Sequence, residues 1–430
     1  MAKMNVGILT MCRLANYGSY WQARCLGRMM ERLGTQVSYL SYSVPSEGRA
    51  RKVKRFWQVA FSPFSLRDKI RFLLFKATFL RKYSGEFKET GRQPDLLIVG
   101  SDEVFNVTQE NKIAASREDY FGMNATANRK ISFAASFGQT TLRKLRGNNL
   151  SEAISDCLSS FDRLSVRDEN SAQIVRELLG QSPPVLPDPV LCADWSGYAC
   201  PSGVPREPYC LLYGYAGRFS EDECRGICEF AQALGGDIIT IGGAQRIGRF
   251  LPVSVEEAPR IFAQALAVVT DTFHGCVFSM VFRKEFAAYA RKALPGQAGN
   301  EEKVGDLLSR YALEDRLCAS AQVSEIFSHK TDYSVLEEKL PEDQKAAWDF
   351  LREAVETWEE SSREEREILE WSGGGETDPG RGLRVRDRTR LQSREIPQAV
   401  RGQREEADLR KPGDRFDRRR VCGRFGQDLR

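Results

Sequence analysis

Two histidines occur in the 430 residues of this chain, and one of them, His274, stands in the stretch "VVTDTFHGCVFSM" at 268–280. It follows a strand-like apolar run and precedes Gly275. An imidazole there titrates near neutral pH and can pass a proton to or from a substrate. If a helix begins at this point, its free N–H groups also favour a phosphate beside that imidazole. A plainer reading stands next to it: Asp271 or Thr272 is the helix cap, and His274 is one more core side chain.

Other groups with chemical potential sit where apolar runs end. They are Asn16, Tyr17 and Gly18 with Ser19; Ser101, Asp102 and Glu103 with Asn106; Ser136 with Gly138; Arg167 with Asp168; and Gly242 with Gly243. Together they offer carboxylates, anion-binding groups and a single imidazole, with no intact metal set. Each has its bland alternative. Glycine pairs after strands are usually tight turns. Asp102 and Glu103 suit helix caps, and Arg167 suits a surface pair with Asp168 or Glu169.

The elements that position these groups follow from periodicity. "NVGILTM" is an apolar run of strand length, and the next segment places Trp21, Cys25, Leu26, Met29, Met30 and Leu33 at helical spacing before Gly34. "QVSYLSY" is a second strand, which makes a βαβ start. "PDLLIVGSDEVFN" and "RKISFAASFG" add strands, and "FDRLSVRDENSAQIVRELLG" reads as a short strand and a helix. The proline-rich "PPVLPDPVLCADWSGYA" marks a boundary. Beyond it "PYCLLYGY", "DIITIGG", "LAVVTD" and "EFAAYA" alternate with helices, so the fold class is α/β, two doubly wound Rossmann-type domains facing each other. Their expected limits are 1–195 and 205–335, followed by an amphipathic helix at 340–360. The Arg-, Glu- and Gly-rich residues 361–430 lack periodic apolar positions and are expected to be disordered.

Composition narrows the class. Hydrophobic residues at 41% and charged residues at 28% fit a soluble globular chain. A net charge of +4 is too small and too dispersed to imply nucleic acid. The eleven cysteines show no framework spacing, and "MAKMNVGILTMC" lacks a signal-peptide core, so reduced thiols in a cytoplasm are expected. Cys224 and Cys228 lie four apart without a second cysteine pair, which disfavours zinc. Residues 49–83 interleave basic and aromatic side chains. They read either as amphipathic helices packed on the domain or as an interfacial surface for anionic lipid.

These loops, in this order, resemble the polysaccharide pyruvyl transferase family. The resemblance is carried by "DLLIVGSDEVFN", "KISFAASFG", "LSVRDENSAQIV", "VLPDPVL" and "VVTDTFHGCVFSMVF". It implies a GT-B-like fold with an acceptor-side first domain, a donor-side second domain and a last helix crossing back to the first. The implied reaction moves the pyruvyl group of phosphoenolpyruvate onto sugar hydroxyls of a cell-surface polysaccharide or its lipid-linked precursor, forming a ketal and releasing phosphate. Phosphoenolpyruvate is then a co-substrate, and no cofactor or metal is called for. By the family pattern His274 binds phosphoenolpyruvate or acts as the acid, Asp102 or Glu103 handles the sugar hydroxyl, Asn16 and Gly18 line the facing wall, and Arg167 adds positive charge. The family pattern leads one to expect an arginine two residues before the histidine, where this chain has Thr272. Lys303, Arg283 or Lys284 are candidates to restore that charge. A lipid-linked acceptor would give 49–83 a reason to lie at the inner face of the membrane. Two other readings remain: a nucleotide-sugar glycosyltransferase of the same architecture, using Gly242 and Asp271, and a catalytically silent glycan-binding protein.

Overall fold

The structure, a computed structural model, describes residues 3–42, 64–89, 93–109, 116–198, 205–292, 299–318 and 323–373. Two parallel sheets form its frame. In the first, β1 (Asn5–Leu9), β2 (Gln36–Leu40), β3 (Leu96–Asp102) and β4 (Arg129–Ala135) lie in the order β2-β1-β3-β4. In the second, β5 (Tyr209–Tyr213), β6 (Asp237–Ile241), β7 (Arg249–Phe250), β8 (Ala267–Thr270) and β9 (Glu285–Ala288) lie in the order β7-β6-β5-β8-β9. Every ladder is parallel, as crossover helices between strands require. β3 and β5 are buried along their whole length, which is why Leu96–Val99 and Tyr209–Tyr213 read as apolar runs rather than alternating ones.

In each sheet the strand order reverses once among the described strands, between β1 and β3 in the first and between β5 and β8 in the second. Chains leaving a sheet on opposite sides of such a point open a crevice there. The ends of these four strands and the loops that follow carry Asn16, Asp102, Tyr215 and Asp271. Helices begin beside them: α1 (Tyr17–Arg32) after β1, and further on α2 (Leu66–Tyr83), α3 (Glu169–Leu179), α4 (Glu221–Ala233), α5 (Phe273–Val281) and α6 (Glu301–Arg310).

Sequence and structure part company in a few places. The expected strand at Leu164–Val166 is reduced to isolated bridges, Ile131 with Arg163, and Val166 with both Ala135 and Val185. β7 has two residues, too few to show a period. The supposed boundary is not a loose linker, because Pro189, Val190, Leu191 and Trp195 are buried and Trp195 donates to the Val190 carbonyl at 2.8 Å. The final helix, α7 (Ser334–Gly373), starts earlier than expected and continues past 360. The helix runs to Gly373 and so into the expected tail, of which 374–430 lies outside the described residues. So does 43–63, which includes the first part of the basic aromatic segment.

α7 does return to the first sheet. Phe350 packs 6.2 Å from Phe133, Arg163 stacks on the Phe350 ring and pairs with Glu353 at 2.7 Å, and Gln344 donates to the Leu191 carbonyl at 2.6 Å. Contacts tie residues 1–365 into one compact unit. Among the described residues no helix is long and apolar enough to cross a membrane.

Candidate active site

The site is built around a residue that sequence reasoning did not single out. Asp188, 1% exposed, follows Pro187 in the segment taken for a boundary. Its Oδ2 accepts from Arg167 Nη1 at 2.9 Å and from Ser101 Oγ at 3.3 Å, and lies 3.5 Å from His274 Nε2. Its Oδ1 accepts the Val190 N–H at 3.0 Å. Burial alone would push this carboxyl up, but His274 first, then Arg167 and the Val190 N–H, hold it well below the usual carboxylate range. An acid between two prolines was the one available signal, and the prolines themselves disguised it as punctuation.

Arg167 is not on the surface. It is 6% exposed, its guanidinium lies 4.1 Å over the Phe273 ring, and Nη2 stands 3.6 Å from Asp102 Oδ1. Its Nε has no hydrogen-bond acceptor among the described residues, while Nη2 and His274 Nε2 face carboxylate oxygens only at long range, Asp102 Oδ1 at 3.6 Å and Asp188 Oδ2 at 3.5 Å. Buried donors without acceptors are uncommon because each costs free energy. Here the weakly satisfied donors belong to two side chains that face one carboxylate oxygen.

His274 is buried, 7% exposed. It is the second residue of α5, whose N-cap is Thr272: the Thr272 hydroxyl accepts the Gly275 N–H at 2.9 Å. The expected arginine position is thus filled by a cap, and Thr272 cannot supply charge. The imidazole packs against the start of α1, where a Cβ on Gly18 would stand 2.2 Å from its Nδ1. Glycine at 18 lets the two helix N-termini meet, one from each sheet. Asn16 caps α1 by accepting the Gly18 N–H at 2.8 Å, and its amide reaches Tyr215 Oη at 3.5 Å across the cleft.

A second ion pair spans the same space. Lys303, from α6, bonds Glu103, which also accepts from the Asn106 amide at 2.7 Å. Burial opposes charge on both partners. For Glu103 the Lys303 ammonium overcomes it and the carboxyl titrates low; for Lys303 the Glu103 carboxylate overcomes it and the ammonium is held above its ordinary value. Asp102 beside them takes φ +76°, an unusual conformation for a non-glycine residue, and its Oδ2 accepts from Ser19 Oγ at 3.3 Å. Lys303, Arg167, Asp188 and Phe273 line one pocket with Asp306 and Arg310.

The remaining candidates fall elsewhere. Tyr17 is buried in the core among Phe75, Phe79 and Tyr213 and donates to the Val253 carbonyl at 2.6 Å, so it does not line the cleft. Ser136 is fully buried and bonds Asp168, which caps α3. Gly242 and Gly243 form a packed turn: added Cβ atoms would meet the Tyr213 ring at 2.6 Å and the Ala216 nitrogen at 2.3 Å. Asp271 is held by Arg218 at 3.1 Å and Arg291 at 3.7 Å, and Arg291 is in turn gripped by Glu223. Burial nevertheless raises the Asp271 carboxyl, against the pull of both arginines. Gly275 is pressed on Thr270, and Arg283 and Lys284 are turned to the backbone carbonyls of Met280 and Ala263. Among the described residues no three His, Cys, Asp or Glu side chains cluster as a metal-binding set.

The model of the family described as polysaccharide pyruvyl transferase matches residues 16–292, which contain every group around Asp188 and leave out Lys303. No curated protein matches the chain. Among solved structures, a glycosyltransferase of kitacinnamycin shares 10% identity at TM-score 0.43, covering 83% of this chain and all (100%) of its own. The calicheamicin glycosyltransferase CalG4 shares 13% at 0.39, over 83% and 98%. The UDP-GlcNAc 2-epimerase of Methanocaldococcus jannaschii shares 10% at 0.39, over 79% and 93%. None of these likenesses bears on what this chain binds.

Proposed function

The chain belongs to the polysaccharide pyruvyl transferase family and is a transferase; from that premise we propose that it moves the pyruvyl group of phosphoenolpyruvate onto a sugar of a cell-surface glycan or its lipid-linked precursor. One observation carries the reading: Arg167 and His274 are buried, both face the same Asp188 oxygen, and Arg167 Nε is left without an acceptor among the described residues. A ligand with a carboxylate and a phosphate meets that need. Phosphoenolpyruvate has both on one carbon.

The reaction follows from where these groups stand. Arg167 holds the donor's anionic groups through Nε and Nη2, and Asp188 fixes the guanidinium from behind. His274 passes a proton to the methylene carbon, so positive charge develops at the adjoining carbon and a sugar hydroxyl adds there. Asp102 and Glu103 accept hydrogen bonds from the acceptor sugar, one of them taking the hydroxyl proton. A second hydroxyl of the same sugar then displaces phosphate, which leaves with that hydroxyl's proton, and closes the ketal. Lys303 meets the departing phosphate once its bond to Glu103 is exchanged. The donor is a cytoplasmic metabolite, which keeps the cytoplasmic expectation with the reading. A nucleotide-sugar donor draws no support from Gly242–Gly243, because that turn is packed under Tyr213 and Ala216.

Thermal melting with phosphoenolpyruvate or nucleotide sugars tests the donor. A ligand at a hundredfold its dissociation constant stabilises the fold by about 2.7 kcal/mol. Phosphoenolpyruvate is expected to raise the melting temperature in the native protein and not in Arg167→Met. A clear response to a nucleotide sugar, with none to phosphoenolpyruvate, overturns the reading.

A further inference from the structure

α2, Leu66–Tyr83, carries two apolar faces, and packing within the chain accounts for one of them. Phe72, Phe75, Phe79 and Tyr83 are buried. Phe75 and Phe79 pack on Tyr17, Phe72 and Phe75 on Phe250, and the Tyr83 hydroxyl reaches Glu256 at 3.3 Å. Opposite them, Leu66 is 74% exposed, Leu74 62% and Ile70 52%, with Leu73 and Leu80 also exposed. Five of the ten exposed large hydrophobic side chains among the described residues lie on this one helix. Scattered exposed leucines are ordinary, whereas a contiguous set marks an interaction surface.

Charge says what kind. At about 100° per residue, Leu66, Ile70, Leu73, Leu74, Ala77 and Leu80 share an arc of about 120°. Arg67, Arg71 and Lys82 fall on one side of that arc and Lys69 and Lys76 on the other, while Arg81 lies within it near one edge. Asp68 is the helix's one acid, and the Ser65 hydroxyl, which accepts the Asp68 N–H at 3.1 Å, also donates to its carboxylate at 2.7 Å. An apolar stripe bordered by cations on both sides suits the boundary between acyl chains and anionic headgroups. There leucines enter the hydrocarbon and Lys and Arg stems reach back to phosphate. A protein partner would have to bring a matching double row of acids around an apolar ridge.

We propose that this face of α2 lies on the surface of an anionic phospholipid bilayer. The helix rests on Tyr17, the residue after Asn16, and the Phe64 ring, just before it, stands about 3.1 Å from where a Gly217 Cβ would be. Lipid contact at α2 therefore brings the loops after β1 and β5, which carry Asn16 and Tyr215, close to the bilayer. The inference does not depend on which donor the enzyme uses.

Sedimentation of the full chain with vesicles, without donor or acceptor, tests it. Binding is expected to phosphatidylglycerol-containing vesicles and to fall steeply with salt; vesicles of phosphatidylcholine alone should retain little protein. Ile70→Ser/Leu73→Ser/Leu74→Ser should lose binding while keeping the native melting temperature and phosphoenolpyruvate response, since all three side chains are exposed. Arg67→Glu/Arg71→Glu should weaken binding by at least about fivefold for each cation removed. Equal sedimentation of the triple variant, or no binding to anionic vesicles, overturns the proposal. So does a native dimer that the triple variant converts to monomer, which would assign the face to a second copy of the chain.

Discussion

Asp188 meets Arg167, Ser101 and His274 through one carboxylate oxygen, so these side chains act as a unit and their substitutions should not add. His274→Gln is expected to lower turnover by about 10²- to 10⁴-fold, the range of a lost general acid. Asp188→Asn acts differently. It leaves the Arg167 cation buried beside a neutral amide and should cost about 3–5 kcal/mol in denaturant unfolding. Because the Asp188 carboxyl is held low in the folded chain, its contribution is present above the unfolded value, about pH 4, and is lost as pH falls further. Glu103 behaves the same way. Stability measured from pH 6 downward should therefore drop below about pH 4 in the native protein and drop less steeply in Asp188→Asn. Equal slopes would mean that the carboxylate gains nothing from its partners.

At the scale of elements, the site exists because two helix N-termini meet end to side. Gly18→Ala places a methyl where the His274 ring lies, so α1 and α5 must separate or the imidazole must turn. The expected cost is about 1–3 kcal/mol of stability, typical of overpacking, together with loss of the phosphoenolpyruvate-dependent melting shift. A native shift in Gly18→Ala would show that the contact is not needed for donor binding. This meeting was half legible in the sequence. Apolar runs and helical spacing located β1, α1, β8 and α5, and strand ends pointed to Asn16, Asp102 and His274, because burial on both faces leaves a plain signal. Which ends would face each other was not legible, since that depends on strand order. Asp188 was missed because prolines suit both a linker and a rigid, buried corner. Tyr17 and Ser136 stand beside cleft residues in sequence but turn into the core, because proximity in sequence says nothing of the side to which a side chain turns.

Across the whole molecule, contacts place the two sheets in one compact unit. α7 supplies much of the reason: Leu336, Ala347, Phe350 and Leu351 are buried, and Arg310 of the second half clasps Asp343 while Arg163 of the first clasps Glu353. A helix shared in this way couples the unfolding of both halves. Phe350→Ala removes a ring that packs on Phe133 and lies under Arg163, and should cost about 3–5 kcal/mol. If the halves are coupled, that loss appears at β5 and β8 as well as at β1 and β3. Native-state hydrogen exchange would report it as an equal drop in protection for the slowest amides of both sheets. A drop confined to the first sheet would mean that the second folds on its own and that α7 is a strap on one half only. The cleft would then owe its closed geometry to the Gly18–His274 contact and the Lys303–Glu103 pair, and cutting the latter with Lys303→Met should release the halves from each other.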